Sequence, residues 1–239
     1  MIRVAVSGAG GRMGRLVADS VATADDLDLA ACFDPRCAGE AVAGVAVTAD
    51  PEEFAAADVV VEFTVPAVVR ENLRRWRALG LHAVVGTSGE GPPNCLVAPN
   101  FSIGAVVMMR LAELAAPHFA AAEVIELHHD AKADAPSGTA LATAERIAAA
   151  SDQVRKADSV ESVAGARGGA VSGVPVHAVR LPGLVAHQEV LLGGPGETLT
   201  VRHDTTDRTA FMPGVLLAVR SISQLEDPVT VGIEGLLGL

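Results

Sequence analysis

The chain has 239 residues, of which 50% are hydrophobic and only 3% aromatic, so its core is expected to consist mainly of Ala, Val and Leu. Asp and Glu (29) outnumber Lys and Arg (18), and the net charge of −11 argues against nucleic acid or an anionic membrane as a partner. The three cysteines form no CxxC pair, so neither a disulfide framework nor a metal site is expected, and the lack of a signal peptide or an 18-residue apolar run favours the cytoplasm.

The first part of the chain alternates apolar strands with helical segments. Strands are predicted over residues 2–7, 27–33, 59–63 and 82–85, and helices are predicted after the glycine-rich turn 8–14, at Asp50-Pro51 and over 66–79. Strands that alternate with helices indicate parallel βαβ units. The predicted fold class is therefore α/β, with a doubly wound parallel sheet of the Rossmann type.

The pattern changes after Phe101. Helices are predicted over 104–119, with an apolar stripe at Val107, Leu111 and Leu114, and over 137–150, with a strand between them at 123–127. Residues 159–173 are predicted to form a mobile loop, and 174–180, 185–192 and 198–203 to form antiparallel strands. These elements predict a second, α+β domain with an open mixed sheet, whose uncovered face suits pairing with another subunit.

The first glycine-rich turn has the composition of a dinucleotide-binding turn. It contains Gly8, Gly11 and Gly14 in a GxxGxxG pattern, follows the first strand and opens a helix. Such glycines let the backbone approach a pyrophosphate at a helix N-terminus. Asp34 stands 20 residues past Gly14 at the end of the second strand, where an acceptor for ribose hydroxyls is expected. The alternative is a structural turn that binds no phosphate.

Two later strand ends are predicted to belong to the same site. Phe63-Thr64 and Gly86-Thr87-Ser88 end the third and fourth strands, and ligands of doubly wound sheets lie beyond the carboxyl ends of strands. Gly86 and Thr87 are the better candidates for the nicotinamide half of a dinucleotide. For Thr64 and Ser88, an ordinary strand-to-helix turn is an equally weighted alternative.

A dense polar cluster follows the strand of the second domain. His128, His129 and Lys132 precede Ser137-Gly138-Thr139, which reads as a helix start. Cations beside a helix N-terminus form a carboxylate site, a histidine exchanges protons near neutral pH, and a lysine stabilises developing negative charge. A metal site is the alternative, but its expected i, i+4 spacing is absent. His118, His177 and His203, which lie outside this cluster, are interpreted as structural.

The segment from Glu126 to Ala140 resembles the signature of the 4-hydroxy-tetrahydrodipicolinate reductases, formerly called dihydrodipicolinate reductases. The turn 8–14, the segments 86–88 and 98–101, and Arg208-Thr209-Ala210-Phe211 followed by 214–216 also match, so the resemblance covers nearly the whole chain. It implies a homotetramer that reduces (2S,4S)-4-hydroxy-2,3,4,5-tetrahydrodipicolinate to tetrahydrodipicolinate with NADH or NADPH, in diaminopimelate and lysine biosynthesis.

The resemblance also implies roles for individual residues. His128 would be the acid/base and Lys132 the proton donor or charge stabiliser, while His129, Lys132, Gly138 and Thr139 would hold the substrate carboxylates. The complete predicted set of cofactor-binding residues is Gly8, Ala9, Gly10, Gly11, Arg12, Met13, Asp34, Phe63, Thr64, Gly86, Thr87, Ser88, Ala98, Pro99, Asn100 and Phe101, with Arg208 and Phe211 closing over the cofactor. Residues 1–103 and 209–239 would form the dinucleotide-binding domain, and residues 104–208 the substrate-binding and oligomerisation domain.

The sequence departs from the family pattern in two places. The segment 89–97 is shorter than in many relatives, which have a helix there, and Pro35 follows Asp34 where some relatives have Arg. Asp34 favours NADH, because a 2′-phosphate would meet a carboxylate and Pro35 supplies no cation. Arg36 or Arg12 could still reach a phosphate, so use of both cofactors is expected, with NADH preferred.

Two other functions remain open at this level. One is a different two-domain reductase, such as an amino-acid or semialdehyde dehydrogenase, which would lack His-His-x-x-Lys beside Ser-Gly-Thr. The other is a dinucleotide-binding redox regulator, which would need no proton donor and would carry a DNA-binding or partner module. Neither the charge nor the motifs of this chain indicate such a module.

Overall fold

A computed structural model describes residues 1–87, 94–152 and 160–239, which divide into two compact units. The first unit comprises Met1–Ser102 and Phe211–Leu239, and the second comprises Ile103–Ala210. The boundaries predicted from the sequence, after residues 103 and 208, lie one and two residues from these. Ser88 and most of the shortened segment 89–97 lie outside the described residues, as does residue 159 of the predicted loop.

Thirteen strands and five α-helices are numbered in chain order across the described residues. The strands are β1 (Ile2–Ser7), β2 (Leu27–Phe33), β3 (Ala41–Val42), β4 (Val45–Thr48), β5 (Val59–Glu62), β6 (His82–Val85), β7 (Cys95–Val97), β8 (Ala121–His128), β9 (Gly169–Val171), β10 (Val174–Arg180), β11 (Ala186–Gly194), β12 (Glu197–Thr205) and β13 (Val229–Val231). The α-helices are α1 (Arg12–Ala22), α2 (Pro66–Ala78), α3 (Ile103–Ala115), α4 (Gly138–Ala150) and α5 (Met212–Ser221). None of the helices in the described ranges is long and apolar enough to cross a membrane.

The first unit is built on an eight-stranded sheet in the order β13-β7-β6-β5-β1-β2-β4-β3. All neighbouring strands run parallel except β3, which is antiparallel to β4. The central strands read as continuous apolar runs because both of their faces are covered, and Val4–Val6 and Val59–Val61 are almost completely buried. The predicted doubly wound parallel sheet is therefore confirmed.

The core of the first unit contains an aromatic cluster that the low aromatic content did not predict. Phe54 stacks on Trp76 with ring centroids 4.5 Å apart, and Phe33 meets Trp76 edge to face at 5.6 Å. Phe54 lies in a 3₁₀ helix over Pro51–Ala56, which Asp50 caps by accepting a hydrogen bond from the Glu52 N–H. Three of the few rings in the chain thus fix α2 and this turn against the sheet.

The second unit is built on a five-stranded mixed sheet in the order β12-β11-β8-β10-β9. The predicted run of antiparallel strands is wrong in one respect, since β8 separates β10 from β11 and β10 runs parallel to β8. β8 buries Ala122, Val124 and Glu126 on one face, while the intervening residues are only half-buried. Residues 169–171 of the predicted mobile loop form β9, which pairs with β10.

The predicted apolar stripe of α3 is also wrong. Leu111 and Leu114 are exposed, and Val107 is only half-buried. The helix is apolar apart from Arg110 and Glu113, and it buries Ala105, Met108, Met109 and Ala112 at i, i+3, i+4 and i+7. α3 packs against α4 and β12. Because apolar residues lie on several sides of the helix, periodicity alone did not identify the buried face.

Candidate active site

A cavity of about 770 Å³ opens at the carboxyl ends of β1, β2, β5 and β6 in the first unit. It brings together nine of the residues predicted to bind the cofactor: Gly8, Gly11, Arg12, Met13, Asp34, Phe63, Thr64, Gly86 and Thr87. Parallel strands end at the same edge of a sheet, so turns that are distant in sequence converge there. The described structure therefore assembles one continuous cleft from the glycine turn and the two later strand ends.

The glycines of this cleft are required by close backbone contacts. Gly8 has φ of +83°, and a Cβ there would lie 2.6 Å from the Phe63 carbonyl oxygen. A Cβ on Gly14 would overlap the Gly8 carbonyl, and one on Gly86 would overlap the Phe63 ring. α1 begins directly after Gly11, whose position receives no side-chain cap. No side chain therefore competes for the N–H groups at the start of α1, and the glycine backbone lets a ligand approach them closely. This arrangement suits a pyrophosphate.

Asp34 is held at the floor of the cleft, with a side chain that is only 4% exposed. Its Oδ1 accepts from the Arg36 backbone N–H (3.1 Å) and Nε (3.0 Å), and its Oδ2 accepts from the Arg36 guanidinium (2.9 Å) and the Gly10 N–H (3.2 Å). The Arg36 bonds hold the pKa of Asp34 below its ordinary value, although burial acts in the opposite direction. The Arg36 side chain is 75% exposed, so the cation covering Asp34 faces solvent.

Glu62 is a completely buried carboxylate beneath the cleft that the sequence analysis did not identify as a site residue. It accepts hydrogen bonds from Trp76 Nε1 (2.8 Å), from Asn72 Nδ2 and from the Thr64 hydroxyl. The Thr64 carbonyl in turn accepts from the Thr87 hydroxyl at 3.0 Å. These bonds tie the ends of β5 and β6 to α2, and an acidic residue that ends an otherwise apolar strand was the available sequence signal.

One face of α2 forms a wall of the cleft that was also missed. Val68, Glu71, Asn72 and Arg75 line the cavity, at the i, i+3, i+4 and i+7 spacing of a helix face. Arg75 pairs with Glu71, and Arg36 pairs with Asp34. Arg12 also lines the cavity and makes no side-chain hydrogen bond to any residue in the described part of the chain.

Several predicted cofactor residues do not line this cavity. Ala9 and Ala98 are buried in the core, Gly10 contacts Asp34, and the Phe101 ring packs against Phe63 with centroids 5.9 Å apart. Pro99, Asn100 and Phe211 are likewise absent from the described cavity wall. Arg208 belongs to the second unit.

In the second unit, His128 is the last residue of β8 and is the most constrained histidine of the polar cluster. Its Nδ1 lies 2.5 Å from Glu126 Oε2, and its side chain is 15% exposed. Burial lowers the pKa of His128 below its ordinary value; Glu126 opposes this lowering, and the charges of Lys132 and Arg180 add to it. With Nδ1 bonded to a carboxylate, Nε2 is the ring nitrogen left for proton exchange.

Glu126 and Arg180 are two further residues that the sequence analysis did not assign to the site. Glu126 is completely buried and accepts from the Arg180 guanidinium at 2.7 and 2.8 Å and from the Ser137 N–H at 3.1 Å. Burial alone would raise the pKa of Glu126, but the bonds from Arg180 and His128 lower it below its ordinary value. Glu126 stands inside the recognised motif, whereas nothing in the sequence linked it to Arg180, 54 residues away.

Lys132 is bonded through its ammonium group to Asp134. The two Nζ–Oδ distances are 2.7 and 2.9 Å, and the Lys132 side chain is 21% exposed. This pair lowers the pKa of Asp134. His129 is half-buried, and its carbonyl accepts from the Lys132 N–H at 3.1 Å. The predicted cation is therefore present beside His128 and His129, together with a carboxylate that neutralises it.

The helix start predicted at residues 137–139 is confirmed. Ser137 is the N-cap of α4, and its hydroxyl accepts from the Ala140 N–H at 3.2 Å. Gly138 is exposed with open space around its Cα, and Thr139 is half-buried. A helix N-terminus follows Lys132 closely in sequence, so this part of the second unit combines a proton-exchanging histidine, an ammonium group and a helix dipole, which suits an anionic substrate.

Comparisons with known proteins agree with this geometry. The family models described as dihydrodipicolinate reductase, N-terminus and C-terminus, match residues 2–93 and 104–237. The chain is 49% identical to the 4-hydroxy-tetrahydrodipicolinate reductases of Cutibacterium acnes, over 259 residues, and Thermobifida fusca, over 258 residues, each alignment covering 100% of both chains. The solved structure of a dipicolinate-bound dihydrodipicolinate reductase from Paenisporosarcina sp. TG-14 superposes with a TM-score of 0.86 at 36% identity, covering 98% of this chain and 99% of the other. The chain belongs to the dihydrodipicolinate reductase family.

Proposed function

We infer that the chain reduces 4-hydroxy-tetrahydrodipicolinate with a reduced pyridine nucleotide, a step of diaminopimelate and lysine biosynthesis. Family membership over the full length supports this inference. The observation that carries it is His128, bonded to the buried Glu126 and followed by Lys132 and the N-terminus of α4. A dinucleotide-binding regulator would not need a proton donor beside an anion-binding helix start. The match to the reductase family argues against an amino-acid or semialdehyde dehydrogenase.

The first unit fits a pyridine nucleotide. The close backbone approach at Gly8 and Gly14, together with the uncapped start of α1, leaves room for a pyrophosphate where a side chain would block it. The reduced nicotinamide supplies a hydride when it is bound. We propose that Arg12 and Met13 hold the phosphate end and that Gly86 and Thr87 hold the nicotinamide end. The family resemblance alone supports four further proposed contacts with the nucleotide, at Ser88, the segment 98–101, Arg208 and Phe211.

We propose that both NADH and NADPH serve, with NADH preferred. Asp34 provides the two acceptor oxygens that ribose hydroxyls need, once the exposed Arg36 side chain moves aside. The same Arg36 can neutralise Asp34 and contact a 2′-phosphate, so NADPH is not excluded. Pro35 offers no second cation.

The second unit is proposed to bind the dicarboxylate. Lys132 and His129 supply the positive charge, and the backbone N–H groups of Gly138 and Thr139, with the Thr139 hydroxyl, supply directed donors at a helix start. Asp134 competes with the substrate for Lys132, because both of its carboxylate oxygens accept hydrogen bonds from the Lys132 ammonium group in the structure. A substrate carboxylate that replaces Asp134 keeps Lys132 paired.

His128 is proposed to deliver a proton to C3 of the substrate ring. Loss of water from the hydroxylated substrate leaves a conjugated cyclic imine, whose C4 accepts the hydride. Hydride addition shifts an electron pair of the conjugated system toward the imine nitrogen, and negative charge builds up on the resulting enamine and on the carboxylates. Lys132 and the N-terminus of α4 stabilise that charge, and the proton comes from Nε2 of His128.

The open face of the second sheet is proposed to join subunits into a homotetramer. Ile125, Leu127, Val179 and Leu191 point to the face opposite the buried side chains of β8 and remain half-buried in the single chain. Light scattering is expected to give four times the chain mass, and Leu191→Asp is expected to lower it.

We also propose a location in the cytoplasm, where the buried thiols of Cys32 and Cys95 stay reduced; burial raises their pKa to about 11 and about 12.

The deciding assay follows the loss of reduced-cofactor absorbance with freshly generated hydroxy-tetrahydrodipicolinate. Turnover is expected with both cofactors, and His128→Gln serves as the chemically impaired control. Aspartate semialdehyde with oxidised cofactor and phosphate is the comparison, followed as a gain of the same absorbance, because a semialdehyde dehydrogenase oxidises the aldehyde and reduces the cofactor. Turnover of the semialdehyde without turnover of the cyclic dicarboxylate would refute the inference.

A further inference from the structure

The buried carboxylate of Glu126 joins three separate elements of the second unit. It accepts from His128 at the end of β8, from Arg180 at the end of β10 and from Ser137 at the start of α4. Arg180 and His128 are directly opposite each other in the parallel register of β10 and β8. The Arg180 guanidinium also donates to the Asp134 carbonyl at 2.6 Å. A single side chain therefore fixes the strand ends and the loop that carry the proposed proton donor.

The donors are divided between the two carboxylate oxygens. Oε2 accepts from His128 Nδ1 and one Arg180 nitrogen, and Oε1 accepts from the other Arg180 nitrogen and the Ser137 N–H. Every group facing Glu126 at these bonds is a donor when His128 carries its proton on Nδ1. Only a carboxylate can accept on both sides, because an amide would turn N–H groups toward one pair of donors. A tautomer with the proton on Nε2 alone would set the Nδ1 lone pair against a buried carboxylate oxygen.

The remaining charged groups around His128 are few. Lys132 and Asp134 lie in the loop after β8, Arg180 comes from β10, and on β11 the residue opposite His128 is Ala186. The next residue of β11, His187, is bonded to Asp204 through its Nδ1 at 2.7 Å. Nε2 of His128 makes no hydrogen bond to any residue in the described ranges.

We propose that Glu126 and Arg180 are positioning residues of the reaction: Glu126 fixes His128 as the Nδ1–H tautomer with Nε2 directed to the proton exchange, and Arg180 holds the Glu126 carboxylate in place through both of its oxygens. This proposal rests on the proposed function, in which His128 protonates the substrate. It assigns to the pair a role in proton transfer and not only in folding. The charge of Glu126 favours protonated His128, and the charge of Arg180 disfavours it, so their removal has opposite consequences.

The same two strands carry a matched control. Glu123 of β8 accepts from His177 Nε2 of β10 at 2.8 Å and from Arg167. This second carboxylate–histidine–arginine group has the same chemical composition, but it lies on the other face of the sheet and its histidine has no place in the proposed reaction. Glu123→Gln therefore makes the same chemical change without touching His128, and because Glu123 lies on the open face of the sheet, light scattering checks that the variant keeps the wild-type mass.

The first measurement is the pH dependence of kcat. Protonated His128 is the active form, so kcat falls as pH rises through the pKa of His128. Glu126→Gln removes the charge that supports the protonated form and is expected to move this limb to lower pH by about one unit, with kcat reduced about 10- to 100-fold. Arg180→Met removes an opposing cation and is expected to move the limb to higher pH. Glu123→Gln is expected to retain the wild-type limb.

The second measurement does not depend on turnover. ¹⁵N spectra of histidine-labelled protein report which ring nitrogen of neutral His128 carries the proton; Nδ1–H is expected in the wild type and in Glu123→Gln, and is lost in Glu126→Gln. Wild-type His128 with its proton on Nε2, or an unmoved pH limb in both Glu126→Gln and Arg180→Met, would overturn the proposal. If Glu126→Gln does not fold, the proposal is tested by the ¹⁵N spectrum of the wild type and by the pH dependence of kcat in Arg180→Met. A wild type that does not turn over the dicarboxylate refutes the proposed function, while the spectrum still decides the tautomer.

Discussion

Replacement of Arg36 by Ala is expected to shift the cofactor preference strongly toward NADH. Arg36 covers both oxygens of Asp34 and faces solvent with 75% of its side chain. Its removal frees Asp34 to accept ribose hydroxyls, so kcat/KM with NADH is expected to stay equal or rise. With NADPH, the variant loses a cation that can contact the 2′-phosphate and at the same time exposes that phosphate to an uncompensated carboxylate.

Two contributions set the size of this effect. An ion pair made by so exposed a guanidinium is worth up to about 1 kcal/mol, because water screens it. Two like charges brought together through water are unfavourable by about 1 kcal/mol more. The sum of about 2 kcal/mol corresponds to a change of about 30-fold in the ratio of kcat/KM for NADPH to that for NADH.

The assay measures both kcat/KM values, and a fluorescence titration measures the Kd of each reduced cofactor. Arg77→Ala is the matched control, since Arg77 is an exposed guanidinium of α2 that does not line the cavity, and its loss changes the net charge equally. The complementary variant Pro35→Arg adds a cation beside Asp34 and is expected to move the preference toward NADPH. An unchanged ratio in Arg36→Ala, or an equal change in Arg77→Ala, would show that the adenosine ribose is not read at Asp34 and Arg36.

Three further predictions test the remainder of the site. His128→Gln and Lys132→Ala are each expected to reduce kcat by about 10²- to 10⁴-fold with an unchanged Kd for reduced cofactor in fluorescence titrations; near-normal kcat in both would remove them from the mechanism. Thr139→Val is expected to raise KM for the dicarboxylate more than it lowers kcat, because the carboxylate is charged throughout; steady-state kinetics with a collapsed kcat at unchanged KM contradict this role. Gly14→Ala is expected to lower the free energy of unfolding by about 1–3 kcal/mol, because its Cβ would overlap the Gly8 carbonyl, and a urea midpoint equal to that of the wild type contradicts this contact.

The sequence predicted most of the local structure of the cofactor cleft because its determinants are local. The glycine turn, the strand ends and the first residue of α2 are set by φ preferences and by periodicity within a few residues, and β1, β2 and β6 begin and end where they were predicted. Asp34 was placed correctly at the end of β2, but its partner was not foreseen. Whether Arg36 turns back onto Asp34 depends on the turn after β2 and not on the spacing of the two residues.

The missed features depend on contacts between distant residues. Arg180 meets Glu126 only because β10 inserts beside β8, and the sequence predicted β10 to follow an antiparallel path instead. Glu62 is buried because Trp76 and Asn72 reach it from α2. A buried carboxylate is recognisable from sequence only when its donors are known, and those donors are provided by tertiary structure.

The return of the chain to the first unit has a consequence for the order in which a nascent chain becomes complete. α5 packs on α1, Arg220 bonds to Asp26 at 2.7 and 2.8 Å, and β13 adds the edge strand beside β7. α5, Arg220 and β13 lie in Phe211–Leu239, whereas the second unit is continuous from Ile103 to Ala210. On the ribosome, the unit with the polar cluster therefore has all of its residues before the nucleotide unit receives its last strand and covering helix. Termination of synthesis or a proteolytic cut after residue 210 would leave the first unit without α5 and β13, although it is the first to be synthesised. The second unit would keep all of its residues.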